Sequence, residues 1–124
     1  MKIPTNLLYS NDHEWISING EIATIGITDF AQDALGDITY VELPALDTIV
    51  AVGDTIGTVE SVKSASDIYA PISGTIVEVN TDLSDAPEKI NSEAYEGGWI
   101  CKLKLDSSDF SNLLSAEKYA EIAK

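Results

Sequence analysis

The chain has 124 residues, with seven lysines, no arginine, twenty-one acidic residues and a formal net charge of −14 at pH 7. This length allows one domain with a modest core, and an apolar fraction of 44% is too high for a disordered chain. The negative charge would repel phosphate backbones and anionic lipid surfaces, so we expect neither nucleic acid nor a membrane as a partner.

The first ten residues, MKIPTNLLYS, have neither the apolar stretch of a signal peptide nor the arginine-rich face of a transit peptide. Cys101 is the only cysteine, which excludes an internal disulfide and fits a reducing compartment. These features predict a cytoplasmic protein, or a protein of the mitochondrial matrix if the chain is a processed organellar form.

A β-hairpin and a short helix are predicted in the first third of the chain. Apolar residues alternate on both sides of Asn19-Gly20, and this dipeptide supplies the positive φ angles of a type I′ turn. A helix is predicted near residues 28–35, because Thr28 can cap its amino end and Gly36 can end it.

Short strands are predicted for most of the remaining chain. Turn signals recur roughly every 8–12 residues, which is typical of a sandwich or a flattened barrel. In the segment WICKLKLD, alternation places Cys101, Leu103 and Leu105 on one face of a strand. We therefore expect a mainly β fold in a single domain of residues 1–124.

A helical tail is predicted at about residues 107–124. Phe110, Leu113 and Leu114 lie at helical intervals, and Ser115 can cap the last helix.

Lys63 lies between two runs that have the composition of strands, in the segment GTVESVKSASDIYAPISG. Similar runs that begin with Gly-Thr flank it at residues 57–60 and 74–78, and we interpret them as the strands of one protruding hairpin at about 55–80. No other lysine occurs between Ile3 and Glu88, so this hairpin would present a single cation.

Few residue types are available for catalysis. His13 is the only histidine, no G-x-S-x-G elbow is present, and no ligand pair has the spacing of a zinc site. A nucleophilic lysine needs a neutral amine, whereas Glu60 and Asp67, if close in space, would stabilise the ammonium form of Lys63. Lys63 is therefore better suited to be modified by another enzyme than to start a reaction.

The residues around Lys63 resemble a known modification motif. Residues 60–67, ESVKSASD, followed by residues 68–74, IYAPISG, are similar to the lipoylation motif of the glycine cleavage system H protein family. Other segments that resemble the family occur in order along nearly the whole chain: YSNDHEW, GITDFAQDALGDITYVELP, VEVN, GGWI and LLSAEKY.

This resemblance implies a carrier and not an enzyme. In the family, a lipoyl group is joined by an amide to the motif lysine, here Lys63, as N6-lipoyllysine. The lipoyl arm carries the aminomethyl group of glycine from glycine decarboxylase (the P protein) to an aminomethyltransferase (the T protein). Dihydrolipoyl dehydrogenase (the L protein) then reoxidises the arm. The implied partners are these three enzymes and the lipoate-attaching enzymes.

The resemblance also implies roles for residues near the lysine and in a cleft. The residues that would be recognised around the lysine are Glu60, Ser61, Val62 and Ser64. The loaded arm would fold back into a cleft at the positions of Glu14, Asp67 and Asp12, where carboxylates suit a protonated amine.

The fold implied by the resemblance is a lipoyl/biotinyl hammerhead-type flattened β-barrel or sandwich, with a short helix near 28–35 and C-terminal helices. We expect Gly74 to permit a special backbone conformation after Pro71. We expect His13 to make a structural hydrogen bond.

Four other functions are weighed against this one. A biotin carrier would flank its lysine with methionines, but Val62 and Ser64 occupy those places. A lipoyl domain of a 2-oxo acid dehydrogenase would be shorter and would typically have aspartate before the lysine. An H-like protein that donates lipoate to other lipoyl proteins would share the same lysine. A structural adaptor would tolerate the loss of Lys63.

Overall fold

The computed structural model describes residues 2–106 and 109–123, and most of its regular structure is antiparallel β-sheet. Within these residues, six strands form one sheet in the order β1-β2-β3-β9-β8-β5, and three form another in the order β4-β6-β7. The strands are β1 Leu8–Tyr9, β2 Glu14–Asn19, β3 Ile22–Ile27, β4 Ile38–Glu42, β5 Ile49–Val50, β6 Thr55–Ser61, β7 Ala65–Tyr69, β8 Gly74–Val79 and β9 Cys101–Leu105.

The helices are short. Those of the described residues are α1 Asp29–Leu35, α2 Asp82–Asp85, α3 Lys89–Ser92 and α4 Ala116–Ile122. In the part of the chain that the structure describes, no helix has the length and apolar composition needed to cross a membrane. The predicted fold class, a mainly β sandwich or flattened barrel with a short helix near 28–35, is confirmed.

The main hydrophobic core is shared by the two sheets. Ile16, Ile25 and Leu103 enter it from the six-stranded sheet, and Val41 and Val59 enter it from the three-stranded sheet. Each of these side chains is at most 4% exposed. Because burial of a side chain of this size contributes about 1.5–3 kcal/mol, the shared core holds the two sheets together.

The β2–β3 hairpin forms at the predicted place with a different turn. Asn19 pairs with Ile22, so the two loop residues are Gly20 and Glu21. Gly20 has a φ of 64°, whereas Asn19 and Glu21 do not have positive φ. The type I′ prediction is wrong, because that turn requires positive φ at both central residues. Glycine in the first central position is the pattern of a type II′ turn.

The predicted caps of α1 are confirmed. Thr28 Oγ1 accepts the backbone N–H of Ala31 at 3.2 Å. At the other end, the N–H of Gly36 donates to the carbonyl of Gln32, and Gly36 has a φ of 84°. The helix therefore begins and ends at residues whose chemistry satisfies its free backbone groups.

Strand β9 has the predicted alternation. Cys101 and Leu103 are buried, and Lys104, on the opposite face of the strand, is exposed to solvent. Burial raises the pKa of the Cys101 thiol to about 12. The only thiol of the chain is therefore protonated and inert at neutral pH.

Lys63 does lie on a hairpin, but the partner strand is not the predicted one. Strand β6 pairs with β7, and Glu60 lies opposite Ala65. The run at 74–78 belongs to β8, which pairs with β5 and β9 in the other sheet. The interpretation of runs 57–60 and 74–78 as partners is wrong. The short segment after Lys63 returns directly along β6, and the chain changes sheets only after Tyr69.

The carboxyl-terminal tail is less helical than predicted. Phe110 to Leu114 are not helical, and Leu114 instead forms a β-bridge with Tyr9. Helix α4 starts after Ser115, whose side chain accepts the N–H of Lys118 as predicted. Residues 107, 108 and 124 of the predicted tail lie outside the described residues.

Gly74 is required for space and not for conformation. Its φ is not positive, so the expectation of a special backbone conformation is wrong. A Cβ atom at this position would collide with the backbone carbonyl of Lys104 on the paired strand β9. A backbone atom cannot move aside as the end of a flexible side chain can, so only glycine lets β8 and β9 approach.

We expect Gly74→Ala to lower the free energy of unfolding by roughly 2–3 kcal/mol, because the added methyl group forces two paired strands apart. Urea denaturation measures this change. The control is Gly20→Ala, where a Cβ meets no atom within 4 Å. That control should lose only about 1 kcal/mol, from its positive φ. Equal losses in the two variants would contradict the steric explanation.

Candidate functional site

A tight turn between β6 and β7 carries Lys63. The N–H of Ser61 donates to the carbonyl of Ser64 at 2.7 Å. The Oγ of Ser61 accepts the backbone N–H groups of Lys63 and Ser64, at 3.2 and 3.1 Å. These bonds close the turn beneath the lysine. The backbone of Lys63 is therefore fixed, while its side chain remains in solvent.

Gly36 and Asp37, between α1 and β4, form a ledge beside this turn. The N–H of Val62 donates to the carbonyl of Asp37 at 3.1 Å, which joins the turn to the ledge. The Cε of Lys63 lies 3.0 Å from the position that a Cβ on Gly36 would occupy. The absence of a side chain at Gly36 therefore leaves room for the Lys63 methylene groups.

Asn91 of helix α3 holds this ledge in place. Its Nδ2 donates to the side chain of Gln32 at 2.8 Å and to the carbonyl of Gly36 at 3.0 Å. Its Oδ1 accepts the N–H of Ile38 at 2.9 Å. One amide side chain thus connects the end of α1 to the start of β4. The support for the Lys63 turn therefore comes from two separate parts of the chain, residues 32–38 and helix α3.

The Lys63 amine is accessible. Val62, Lys63 and Ser64 are all exposed. The ion pairs found within the described residues are Lys89–Asp82 and Lys102–Glu78, so Lys63 has no carboxylate partner within 4.0 Å there. An enzyme that modifies the amine would not need to break an ion pair to reach it.

A small cavity of about 30 Å³ lies next to the same hairpin. One wall comes from the first part of the chain and consists of Asp12, Glu14, Ile27, Ala31 and Leu35. The facing wall comes from β6 and β7 and consists of Val59, Ser66, Asp67 and Ile68. The volume matches about one water molecule, so a larger group could enter only if the two walls separate.

Glu14 is the buried carboxylate of this cavity, with 2% of its surface exposed. Its Oε1 accepts the hydroxyl of Ser10 at 2.5 Å, and its carboxylate also accepts a backbone hydrogen bond from Tyr69. Burial raises the pKa of Glu14 to about 7, more than these hydrogen bonds lower it. Glu14 can therefore bind a cation as a carboxylate, or remain neutral when no cation is near.

The cleft residues that the sequence predicts are close together in the structure. Asp12, Glu14 and Asp67 line the one cavity, although they come from two distant parts of the chain. Asp67 also accepts a hydrogen bond from Thr58 at 3.2 Å. Asp67 follows Lys63 by four residues, so their Cα atoms are at most about 14 Å apart.

The four residues predicted around the lysine all lie on the hairpin. Glu60 and Ser61 end strand β6, and Val62 and Ser64 flank Lys63 in the turn. Glu60, Val62 and Ser64 are exposed, whereas Ser61 is half-buried and its hydroxyl is used within the turn. Ser61 therefore shapes the turn, and the other three present its surface.

Sequence reasoning missed the apolar lining of the cavity and the ledge. Ala31 and Leu35 lie one turn apart on α1, and this spacing is a signal that they share a face. No pattern in the sequence indicated that Asn91 or Gly36 would reach the Lys63 turn, because these contacts join residues far apart in the chain.

A metal site finds no support in the described residues, which contain no group of three or more histidine, cysteine, aspartate or glutamate side chains arranged to hold an ion. The arrangement instead combines an accessible amine with an acidic, partly apolar cavity. Such an arrangement suits a covalently attached arm that ends in a cationic group.

Comparisons with known proteins agree on one family. A family model described as Glycine cleavage H-protein matches residues 7–124. A Schizosaccharomyces pombe protein assigned as a mitochondrial glycine cleavage system H protein is 50% identical over 117 residues, which cover 94% of this chain and 69% of that protein. The crystal structure of a glycine cleavage system H protein from Mycobacterium marinum matches with a TM-score of 0.88 and 40% identity, over 95% of this chain and 96% of that one.

The raised pKa of Glu14 predicts how the stability of the protein changes with pH. Because the carboxyl group is easier to protonate when folded, its contribution to stability is complete below pH 4.5 and is lost as the pH rises towards 7. Glu14→Gln keeps the shape and removes the ionisation. The unfolding free energy of the variant, relative to the unsubstituted protein, should therefore rise by about 2 kcal/mol between pH 5 and pH 8.

Urea denaturation at the two pH values measures this difference. A Glu14→Gln difference that stays constant from pH 5 to pH 8 would contradict a raised pKa.

Proposed function

Because the chain belongs to the glycine cleavage H-protein family, we propose that its Lys63 is the attachment point of a lipoyl group, as N6-lipoyllysine. The chain is a lipoyl carrier of the glycine cleavage system. The main support for Lys63 is its position. It is an exposed amine with no ion-pair partner within the described residues, at the tip of a turn closed by hydrogen bonds.

When bound, a lipoyl group supplies a dithiolane that accepts the aminomethyl group of glycine and later releases it. The protein supplies the tether and the shelter. The Ser61 bonds fix the base of the tether, and the acylated side chain beyond it spans roughly ten bonds and reaches more than ~10 Å. The sulfur chemistry belongs to the group, since the thiol of Cys101 is buried and protonated.

The cleft beside the hairpin fits the loaded arm chemically. Its apolar side chains suit the hydrocarbon part of the arm, and the carboxylates of Asp12, Glu14 and Asp67 suit a protonated amine. A cation beside Glu14 would hold that residue in its ionised form. We propose that the two walls separate to admit the arm and then exclude water from it.

The partners proposed for this chain follow from its family. They are glycine decarboxylase, an aminomethyltransferase, dihydrolipoyl dehydrogenase and the enzymes that attach lipoate. The chain itself performs no catalytic step in this proposal. The surface formed by Glu60, Val62 and Ser64 around Lys63 is the one that attaching enzymes would recognise. A net charge of −14 favours docking sites with basic surfaces.

The location proposed is the cytoplasm, or the mitochondrial matrix if this chain is a processed organellar form. A role as donor of lipoate to other proteins would use the same lysine, but the family match favours the carrier role.

We expect intact-mass measurement of protein made in lipoate-replete cells to show one lipoyl adduct. Lys63→Ala should abolish this adduct, because no other amine lies on the recognised hairpin. Lys104→Ala is the matched control, since Lys104 is also exposed but lies in strand β9 of the other sheet. An adduct that persists in Lys63→Ala would place the attachment elsewhere.

We expect the lipoylated protein to stimulate exchange of the glycine carboxyl group catalysed by glycine decarboxylase. The stimulation should fall as salt is raised, because added ions screen a strongly charged carrier from its partner. The assay compares lipoylated protein with Lys63→Ala at low and high salt. Lipoylated protein that gives no stimulation would favour the lipoate-donor function.

A further inference from the structure

A buried tyrosine hydroxyl joins three distant parts of the chain. Tyr119 of α4 is fully buried, at 0% exposure. Its hydroxyl oxygen lies 2.6 Å from Thr28 Oγ1 and 2.8 Å from His13 Nδ1. The His13 ring also lies edge-on to the Tyr119 ring, with 5.6 Å between the centroids. The expected structural hydrogen bond of His13 is therefore present.

The two partners of this hydroxyl belong to the two elements that build one wall of the cleft. His13 lies between Asp12 and Glu14 and has a left-handed φ of 68°. Thr28 caps α1, the helix that contributes Ala31 and Leu35 to the same wall.

The two elements also touch directly. The N–H of Thr28 donates to the carbonyl of His13 at 3.0 Å, and the His13 ring stacks on Phe30 of α1 at 4.7 Å. The hydroxyl of Tyr119 thus forms a hydrogen bond with each of two residues, His13 and Thr28, that already contact each other.

The hydroxyl of Tyr119 can satisfy both of its partners at once. The N–H of Ala31 donates to Thr28 Oγ1, and the Tyr119 hydroxyl donates to one of its two partners, Thr28 Oγ1 and His13 Nδ1, and accepts from the other. Burial lowers the pKa of His13, which favours the neutral imidazole. Both hydroxyl groups and the Nδ1 of His13 then have a hydrogen-bond partner, which holds the three side chains in one relative position.

We propose that Tyr119 is a positioning residue that makes the 10–14 loop and helix α1 a single rigid wall of the lipoyl-arm cleft. This proposal rests on the function proposed above. If the wall moves as one unit, the carboxylates of Asp12 and Glu14 keep their places relative to the apolar residues of α1 when the cleft opens. A preorganised wall binds the arm with a smaller loss of conformational entropy.

The test compares Tyr119→Phe with Tyr9→Phe in the unmodified protein. Tyr9 is equally buried, stacks on Tyr119 with 4.6 Å between the centroids, and gives its hydroxyl to the carbonyl of Pro4. Tyr119→Phe therefore loses two hydrogen bonds and Tyr9→Phe loses one, in the same aromatic cluster. Only the Tyr119 bonds reach the cleft wall.

Amide hydrogen exchange is the main measurement. We expect the Thr28 and Glu14 amides to exchange at least about fivefold faster in Tyr119→Phe, since fivefold is the factor expected for the loss of a single hydrogen bond. In Tyr9→Phe they should keep their rates, even if both variants lose similar global stability. Equal acceleration in the two variants would overturn the proposal, because it would indicate general loosening.

The tautomer of His13 gives a second measurement that does not need a variant. In the unsubstituted protein, nitrogen NMR should show a single neutral tautomer of His13. A mixture of the two tautomers would overturn the proposal, because the hydrogen bond between His13 and Tyr119 would then not be fixed. This result stands even if Tyr119→Phe does not fold.

The loaded carrier gives a third measurement. Water converts an exposed aminomethyl thioether to thiol, formaldehyde and ammonia, and ammonia release can be followed after the partner enzymes are removed. We expect release about fivefold faster from Tyr119→Phe than from Tyr9→Phe. Intact mass confirms that each variant carries its arm. A missing adduct in the unsubstituted protein would refute the lipoyl function, whereas equal release with the adduct present would refute only the role of Tyr119.

Discussion

The antiparallel pairing of β6 with β7 is the constraint on which the site depends. This ribbon carries Lys63 at its turn and contributes Val59 and Asp67 to the cleft, so the proposed attachment point and one cleft wall belong to one element. Its apolar side chains are buried in the core shared with the six-stranded sheet. The turn is therefore held from below by packing and from the side by the Val62–Asp37 hydrogen bond.

The facing wall differs because it contains an ionisable group, Glu14, in a place with little water. Glu14 is almost fully buried, and its pKa is raised to about 7 by that burial. A buried carboxylate of this kind is stabilised when a cation arrives and is neutral at little cost when the cation leaves. Asp12 and Asp67 line the same cavity but are exposed, so the cleft combines one buried carboxyl group with two that reach solvent.

The proposed role divides labour between a rigid protein and a mobile arm. The only cysteine, Cys101, is buried and protonated. The only histidine, His13, is hydrogen-bonded in a structural cluster with Tyr119 and Thr28. The net charge of −14 favours partners whose docking surfaces are positively charged. The protein contributes a fixed turn and a cleft next to that turn. In our proposal, the hydroxyl of Tyr119 on α4 also holds one wall of that cleft in place.

The sequence by itself determined the features that depend on neighbouring residues. The caps of α1 at Thr28 and Gly36, the alternation in β9 and the exposed motif around Lys63 are set by local chemistry, and the motif also indicated the family. Only the tertiary structure decided the pairing of β6 with β7, the space required at Gly74, and the bridge between Leu114 and Tyr9 that replaces a helix. It also decided the raised pKa of Glu14 and the meeting of Tyr119 with His13. These features depend on burial and on contacts between residues up to 106 positions apart, which a local pattern does not contain.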